Sequence, residues 1–226
     1  MAEQFTYTQV QEYLTTLVPA RPAEVVRMEA YAEEHHFPII GPVAGQMCYQ
    51  MARMIGARRI FELGSGYGYS TAWFAKAVQE NLALSRAEGS KAEGGGGEVH
   101  HVVWDDQLSN QARQHLNALG YGAMIRYHSA EAVETLRNTA GPFDLIFNDI
   151  DKHGYPASLP VIEEKLRSGG VLIIDNTIWS GRVLDDSDQS ENTQGVREVT
   201  RILTTSPNWI TSLFPLRDGL LVAMKK

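Results

Sequence analysis

Short apolar runs alternate with longer amphipathic segments along most of the chain, and this alternation predicts an α/β fold. Apolar runs of about four to eight residues between turn signals are typical of strands buried on both faces of a parallel sheet. The predicted strands are 59–63, 99–104, 123–127, 143–148, 171–174, 209–214 and 219–224. We therefore expect a doubly wound, mostly parallel, seven-stranded sheet. A C-terminal antiparallel hairpin should close it, because the last two strands are joined by a short connection.

The segments between these runs predict helices. Three precede the first strand, at 10–17, 23–34 and 44–55, and the others are 69–78, 108–119, 130–138, 157–166 and 196–204. We predict a single domain, in which N-terminal helices within residues 1–56 cover the site and residues 57–226 form the ligand-binding core. Residues 85–97 are rich in glycine, serine and charge and contain four consecutive glycines, so a surface loop is predicted there.

Composition narrows the function classes. A hydrophobic content of 43% and a charged content of 21% over 226 residues are ordinary for one globular domain. The formal net charge of −7 argues against a nucleic-acid partner, because phosphate binding needs a basic surface. The sequence has neither an apolar run long enough to span a membrane nor the pattern of a secretory signal. One cysteine, Cys48, excludes an internal disulfide, so we expect a cytoplasmic protein without a membrane partner.

A glycine-rich loop follows the first predicted strand. Gly64, Gly66 and Gly68 allow tight turns and close approach of a ligand to backbone N–H groups. The dinucleotide fingerprint G-x-G-x-x-G would require a glycine where this chain has Tyr69. Glu62, just before the loop, suits a cationic ammonium better than a pyrophosphate. The loop therefore favours S-adenosylmethionine (SAM) over NAD, with an NAD-dependent oxidoreductase and a simple strand–helix turn as alternatives.

Oxygen-bearing side chains follow two of the predicted strands. Asp149 and Asp151 come after strand 143–148, and Asp175 and Asn176 come after strand 171–174. Ligands of open α/β sheets bind outside the carboxyl ends of the strands, so these side chains are expected at one crevice. Such hard oxygen donors suit Mg²⁺, Ca²⁺ or Mn²⁺ rather than zinc. The alternative is that they are ordinary strand-end caps and turn residues.

Five motifs, spread over most of the chain, carry a family resemblance. They lie at 41–46, 62–70, 149–155, 175–181 and 216–219. The chain resembles the class I SAM-dependent O-methyltransferases, and more narrowly the cation-dependent catechol and caffeoyl-CoA O-methyltransferases. The pair D-x-D-K-x-x-Y and D-N-x-x-W-x-G is the specific part of the match. The resemblance implies a Rossmann-like methyltransferase fold and is compatible with a homodimer.

The resemblance also implies roles for individual residues. Asp149, Asp175 and Asn176 would hold the cation, usually Mg²⁺, and Lys152 would be the catalytic base. Glu62 would bind the methionine moiety of SAM, Ser70 would assist, and the segment that begins at Ile40 would cover the methionine end. The full set of expected cofactor contacts is Ile40, Glu62, Gly64, Gly66, Ser70, Asp105, Ala130 and Asp149.

Two positions depart from the family pattern. Family members often carry an aromatic residue at the position of Gly66, so one cofactor contact is lost or supplied elsewhere. The acid that binds the ribose should follow the second strand, at a characteristic distance before the glycine that ends the next helix. At that distance before Gly120, this chain has Val103. Asp105 is the predicted ribose ligand, with Asp106 or a changed contact at Trp104 as alternatives.

These observations predict the chemistry of the reaction. A phenol has a pKa near 10, as tyrosine does, and in-line methyl transfer needs its oxyanion. A divalent cation chelated by two adjacent hydroxyls lowers that pKa and orients the oxygen, and Lys152 would take the proton. The expected acceptor is a small phenolic molecule with a vicinal dihydroxyphenyl group. Trp179 is either a wall of its pocket or a packing anchor. A non-catalytic SAM-binding protein is a further alternative, although neither Lys152 nor a cation ligand is lost.

Overall fold

One mixed sheet forms the centre of the computed structural model, which describes residues 6–87 and 96–226. Its strands are β1 (Arg59–Leu63), β2 (Glu98–Val103), β3 (Ile125–Ser129), β4 (Phe143–Asn148), β5 (Leu166–Ile174), β6 (Trp209–Phe214) and β7 (Leu220–Lys225). They form a seven-stranded sheet in the order β3-β2-β1-β4-β5-β7-β6. The predicted sheet is confirmed.

The first five strands pair in parallel, and β7 pairs antiparallel with both β5 and β6. The C-terminal hairpin is therefore confirmed, with β7 inserted between β5 and β6. Strand β1 lies between β2 and β4, so the order of connections reverses beside it. In open α/β sheets this reversal point opens a crevice at the carboxyl ends of the strands. The fold thus places the ends of β1, β2 and β4 around one depression.

The helices are α1 (Tyr7–Thr16), α2 (Ala23–Glu34), α3 (Gly41–Met54), α4 (Tyr69–Ala87), α5 (Asp106–Ala118), α6 (Ala132–Asn138), α7 (Tyr155–Lys165) and α8 (Glu191–Thr205). Three short helical turns, Gly122–Met124, Lys152–Gly154 and Trp179–Leu184, lie between them. The predicted loop 85–97 was wrong at its start, because α4 continues through 85–87. Residues 88–95 of that loop lie outside the described residues.

Two apolar layers cover the sheet, one on each face. Because side chains alternate along a strand, Ile60 packs into the layer that contains α2 to α5, whereas Phe61 packs into the layer that contains α6 to α8. Both side chains are buried, as are Leu145 and Ile146 of the neighbouring strand β4. Full burial of such side chains contributes roughly 1.5–3 kcal/mol each. Helices on both faces make the sheet doubly wound.

The N-terminal helices contact the core at specific points. A Cβ atom added to Gly45 of α3 would lie 2.3 Å from Trp73 Nε1 of α4, so glycine is needed for this close approach. The Tyr67 hydroxyl donates a hydrogen bond to the Met28 carbonyl of α2 at 2.8 Å. Helix α1 has no buried residue, but Gln11 accepts a 2.9 Å hydrogen bond from the Arg217 backbone. Nowhere in 6–87 or 96–226 is a helix both long and apolar enough to cross a membrane.

Candidate active site

A cavity of about 880 Å³ opens at the carboxyl ends of the central strands. Its walls come from the segments that follow those strands, as the reversal of strand order beside β1 requires. The lining includes Gly64, Val102, Val103, Trp104, Ala130, Glu131, Ala132, Val133, Asp149, Lys152, Asp175, Asn176, Trp179 and Arg217. The two acids, the amide and the lysine singled out from the sequence therefore lie on one surface.

The glycine loop packs directly against Asp149. Gly64 has a φ of +86°, and a Cβ atom there would lie 2.5 Å from the Asp149 carbonyl oxygen. Asp149 in turn donates its backbone N–H to the Leu63 carbonyl at 2.8 Å. Only glycine fits this conformation and this contact. The loop expected to hold the cofactor and the segment expected to hold the cation are thus in van der Waals contact.

An aromatic ring lies beside Gly66, although it comes from another part of the chain. A Cβ atom on Gly66 would lie 3.3 Å from the ring of Phe37, which belongs to the segment between α2 and α3. Phe37 itself packs edge-on against Tyr67, with ring centroids 4.9 Å apart. A smaller pocket beside the main cavity is lined by Phe37, Ile39, Ile40, Gly64, Gly66, Ser70 and Asp149. Sequence reasoning missed Phe37, because only the folded chain brings it to the loop.

Glu62 is a buried carboxylate behind the glycine loop. It accepts a hydrogen bond from the Thr71 hydroxyl, which also lies 3.0 Å from His101 Nδ1. The other oxygen of Glu62 has no hydrogen-bond partner among the residues described. The pKa of Glu62 is raised to about 7, because burial outweighs the opposing effect of the hydroxyls of Ser70, Thr71 and Ser65. A cation bound in front of the loop would stabilise the charged form.

Asp149 and Asp175 bring two carboxylates to the same end of the cavity. Asp175 is 1% exposed, and its Oδ1 has no hydrogen-bond partner within the described ranges. Burial, together with the nearby charge of Asp149, raises the pKa of Asp175 to about 7. Arg217, whose NH1 lies 3.3 Å from Asp175 Oδ2, opposes this shift. A buried carboxylate beside a second, partly exposed one that repels it forms a site suited to a cation.

Asn176 completes an oxygen donor set that fits a hard divalent cation. Its φ of +56° is a left-handed conformation that asparagine tolerates better than most residues. Its amide nitrogen donates to Asp218 Oδ2 at 3.3 Å, which leaves the amide oxygen as an acceptor. Across 6–87 and 96–226 no group of three or more His, Cys, Asp or Glu side chains is placed to hold a metal ion. Such a group contains no asparagine. The donor set of Asp149, Asp175 and Asn176 combines two carboxylates with an amide, as Mg²⁺ and Ca²⁺ sites allow.

Lys152 lies beside these carboxylates and is only 9% exposed. Its ammonium donates to Asp149 Oδ1 at 2.7 Å and lies 5.9 Å from the centroid of the Trp179 ring. Helix α8 supports the Lys152 turn from behind, because a Cβ atom on Gly195 would lie 2.2 Å from the Lys152 carbonyl oxygen. Trp179 has a φ of +51° and lines the cavity. The lysine and the tryptophan thus border the same space.

The predicted ribose ligand occupies a different position from the other site residues. Asp105 begins α5, and its Oδ1 accepts hydrogen bonds from the backbone of Gln107 at 2.6 Å and of Leu108 at 3.0 Å. Between β2 and α5, Trp104 lies on the cavity wall and Asp105 does not. Ala130 lines the wall as expected. Most of the predicted site residues line the main cavity or the smaller pocket beside it, whereas Glu62 and Asp105 line neither.

Arg217 and Gly195 are further residues of the site that sequence reasoning left without a role. Arg217 lies in the motif at 216–219, but its contact with Asp175 joins residues 42 positions apart. Gly195 interrupts an otherwise amphipathic helix, and an unexplained helical glycine is a weak signal of close packing. Neither contact follows from spacing along the chain.

Comparison with known proteins identifies the family. A family model described as O-methyltransferase matches residues 23–226, so the chain belongs to this O-methyltransferase family. It is 28% identical over 168 residues to a catechol O-methyltransferase of Niastella koreensis, covering 73% of this chain and 69% of the relative. It is 27% identical over 188 residues to a putative O-methyltransferase of Mycolicibacterium smegmatis, covering 82% of each chain. The alternative of an NAD-dependent oxidoreductase is therefore wrong.

Solved structures show the same fold. The O-methyltransferase TomG from Streptomyces achromogenes, in complex with SAM, superimposes with a TM-score of 0.82 at 23% identity over 100% of both chains. An O-methyltransferase from Bacillus cereus, in complex with SAH, superimposes with a TM-score of 0.80 at 22% identity, covering 96% of this chain and 97% of the other. At this level of identity the likeness confirms the Rossmann-like methyltransferase fold.

Proposed function

We propose that this O-methyltransferase moves the methyl group of SAM to one hydroxyl of a catechol-like small molecule and requires a divalent cation, with Mg²⁺ as the expected ion. The observation that carries the proposal is the pair of carboxylates, Asp149 and Asp175, on the cavity wall beside Lys152. The SAM and SAH complexes of the structural neighbours support the donor. The catechol O-methyltransferase of Niastella koreensis supports the acceptor class.

The residues suggest a division of labour. Asp149, Asp175 and Asn176 would hold the cation, whose chemistry would be to lower the pKa of a phenolic hydroxyl. Lys152 would accept the proton as a neutral amine, since it borders the same cavity as the carboxylates and is only 9% exposed. Trp179 would form an apolar wall for the aromatic ring of the acceptor. Burial of these groups excludes water that would otherwise screen their charges.

Glu62 and the glycine loop would hold the donor. The sulfonium donor carries an ammonium on its methionine moiety, and one oxygen of the buried Glu62 carboxylate has no hydrogen-bond partner in 6–87 or 96–226. Ser70 lies close enough to lower the pKa of Glu62 and would help to orient this end. Because Gly64 packs against Asp149, donor and acceptor would meet where the two segments touch. Such positioning is the main contribution a protein makes to a displacement reaction.

A methyl-transfer assay tests the proposal. The protein is treated with a chelator and assayed with labelled SAM against a panel of catechols and matched monophenols, and mass spectrometry locates the added methyl. We expect no transfer in chelator, recovery with Mg²⁺, and a preference for catechols. Full activity in excess chelator would remove the cation from the mechanism. Transfer to monophenols alone would exclude the catechol acceptor.

Two aspartate variants separate the cation site from general charge effects. Asp175→Asn should raise the Mg²⁺ concentration for half-maximal activity by roughly tenfold or more, since it removes a charged ligand. Asp186→Asn changes an exposed acid of a neighbouring loop and should leave that concentration unchanged. Retained SAH binding without transfer to any acceptor would instead favour the non-catalytic SAM-binding protein.

A further inference from the structure

Trp104 is an unusually exposed tryptophan on the wall of the cavity. It follows the last residue of β2 and is 74% exposed, whereas Trp73 and Trp209 are buried. Tryptophan normally removes a large apolar area from water when a protein folds. No stacked or edge-on aromatic neighbour of Trp104 is found in the described part of the chain. Its ring is therefore available to a ligand in the cavity.

The surroundings of Trp104 suit a flat, largely apolar group. Val102 and Val103 precede it on the wall, and Ala132 and Val133 lie on the wall after β3. The glycine loop after β1 borders the same cavity through Gly64. In the sheet, β2 and β3 lie on one side of β1, whereas β4 and β5, which the acids follow, lie on the other. A purine nucleoside has the shape and the apolar faces that such a surface accommodates.

The carboxylates nearest to this end of the cavity already have other roles. In dinucleotide-binding folds, an acid after the second strand accepts hydrogen bonds from the ribose hydroxyls. Here Asp105 Oδ1 begins α5 by capping two backbone N–H groups. Glu131, on the opposite side, likewise caps α6 through the backbone of Val133 and Glu134. Recognition of the ribose by a carboxylate is therefore disfavoured at both positions.

We propose that Trp104 is a cofactor-binding residue whose indole stacks on the adenosine moiety of SAM, in place of a carboxylate that binds the ribose. Stacking of an aromatic side chain on a base requires only a π-face and no hydrogen bond from the sugar. The inference rests on SAM as the donor, which is part of the proposed function. It does not depend on the acceptor or on the cation.

Binding of S-adenosylhomocysteine (SAH), measured by calorimetry without acceptor or cation, tests the role of Trp104. We expect Trp104→Ala to raise the dissociation constant roughly 10- to 100-fold, as loss of one base-stacking contact does. Trp104→Phe keeps an aromatic face and should stay within about fivefold of the unmodified protein. Both variants should melt at the temperature of the unmodified protein, since the side chain is exposed.

Tryptophan fluorescence adds a readout that a merely structural role would not change. SAH should quench the emission of the unmodified protein and of the Trp209→Phe variant, which lacks a buried tryptophan of β6. Most of this quenching should be lost in Trp104→Phe. Quenching of equal size in Trp104→Phe would contradict direct stacking.

Variants of the neighbouring acids decide between stacking and a carboxylate contact. Asp105→Ser keeps an N-cap residue but removes the carboxylate, and Asp106→Ala removes the other candidate acid. We expect both to bind SAH within about threefold of the unmodified protein. An unchanged affinity in Trp104→Ala, or a larger loss in Asp105→Ser than in Trp104→Ala, would overturn the proposal. Absence of SAH binding by the unmodified protein would instead contradict SAM as the donor.

Discussion

At the scale of single residues, the site holds more buried negative charge than its own cations neutralise. Glu62 and Asp175 each have one carboxylate oxygen without a hydrogen-bond partner in the described residues. Ionisation of a buried carboxylate that is incompletely paired destabilises a folded protein, and binding sites tolerate it because the ligand compensates. Each of these carboxylates should therefore report on its ligand through stability as well as through activity.

Glu62→Gln tests this view through the pH dependence of stability. The pKa of Glu62 is raised from 4.5 to about 7, so the folded protein binds this proton more tightly than the unfolded chain does. The contribution of Glu62 to the stability of the ligand-free protein should therefore fall as pH rises from 4.5 through 7. The glutamine variant lacks this loss and should gain about 3 kcal/mol over the unmodified protein across that interval. Denaturant titrations at several pH values measure the difference.

The matched control for this experiment is Glu12→Gln, which changes an exposed acid of α1. The difference in free energy of unfolding between Glu12→Gln and the unmodified protein should not vary over the same pH range. If Glu62→Gln behaves like Glu12→Gln, the Glu62 carboxylate is not raised in pKa. Glu62→Gln should also bind SAH more weakly, since it lacks the negative charge expected to face the ammonium of the ligand.

Lys152→Met tests the catalytic lysine. Methionine has a similar length but no proton-accepting group, so we expect kcat to fall by roughly 10²- to 10⁴-fold, as for loss of a general base. The dissociation constant of SAH should change by less than about threefold. Lys76→Met, at a position outside the cavity, should leave both quantities unchanged. A Lys152→Met enzyme with normal kcat would exclude this lysine as the base.

At the scale of elements, helix α8 determines where Lys152 lies. Gly195 faces the Lys152 turn so closely that a Cβ atom would lie 2.2 Å from the Lys152 carbonyl oxygen and 2.8 Å from His153 Cα. Asn192, on the same helix, accepts a hydrogen bond from the His153 backbone at 3.1 Å. The helix therefore fixes the backbone that carries the lysine.

Gly195→Ala should reverse the usual effect of this substitution. In an open helix, alanine is more stable than glycine by about 1 kcal/mol. Here the added methyl group meets backbone, and such overpacking destabilises by about 1–3 kcal/mol. We expect a lower melting temperature and a lower kcat, because the Lys152 turn must move. Thr204→Ala, at an exposed position of the same helix, is the control and should show neither effect.

The elements themselves were largely predictable from the sequence, because a buried strand is a local pattern of apolar residues. The limits of β3 were less predictable: the prediction began at 123, but residues Gly122–Met124 form a helical turn and the strand begins at Ile125. The start of β5 at Leu166 was also missed, since Gly169 and Gly170 lie within the strand. Glycine weakens the strand pattern wherever tertiary contacts, and not propensity, hold the strand.

At the scale of the whole molecule, the candidate site was predictable only where it coincides with motifs. Asp149, Lys152 and Asp175 follow strands directly, so their meeting point follows from the sheet order. The Phe37 ring beside Gly66 and the Arg217 contact with Asp175 do not. These contacts join segments far apart in the chain, and their geometry depends on how the N-terminal helices and the β6–β7 hairpin pack.

A cation should stabilise the whole protein, independently of catalysis. A ligand that binds only the folded state adds about 2.7 kcal/mol to the free energy of unfolding at a concentration 100 times its dissociation constant. We therefore expect Mg²⁺ to raise the melting temperature of the unmodified protein and of Asp186→Asn. Asp175→Asn should show little increase. Thermal melts with a Mg²⁺ titration measure this, and an equal increase in Asp175→Asn would place the ion elsewhere.

The contact between Gly64 and Asp149 has a consequence for the order of events. If the glycine loop shifts when the donor binds, the backbone of Asp149, which lies against Gly64, must shift as well. Thermodynamic reciprocity then requires that each co-substrate alter the affinity for the other by the same factor. The close packing of these two backbones, which leaves no room for a Cβ atom on Gly64, would in this way couple the binding of the two substrates.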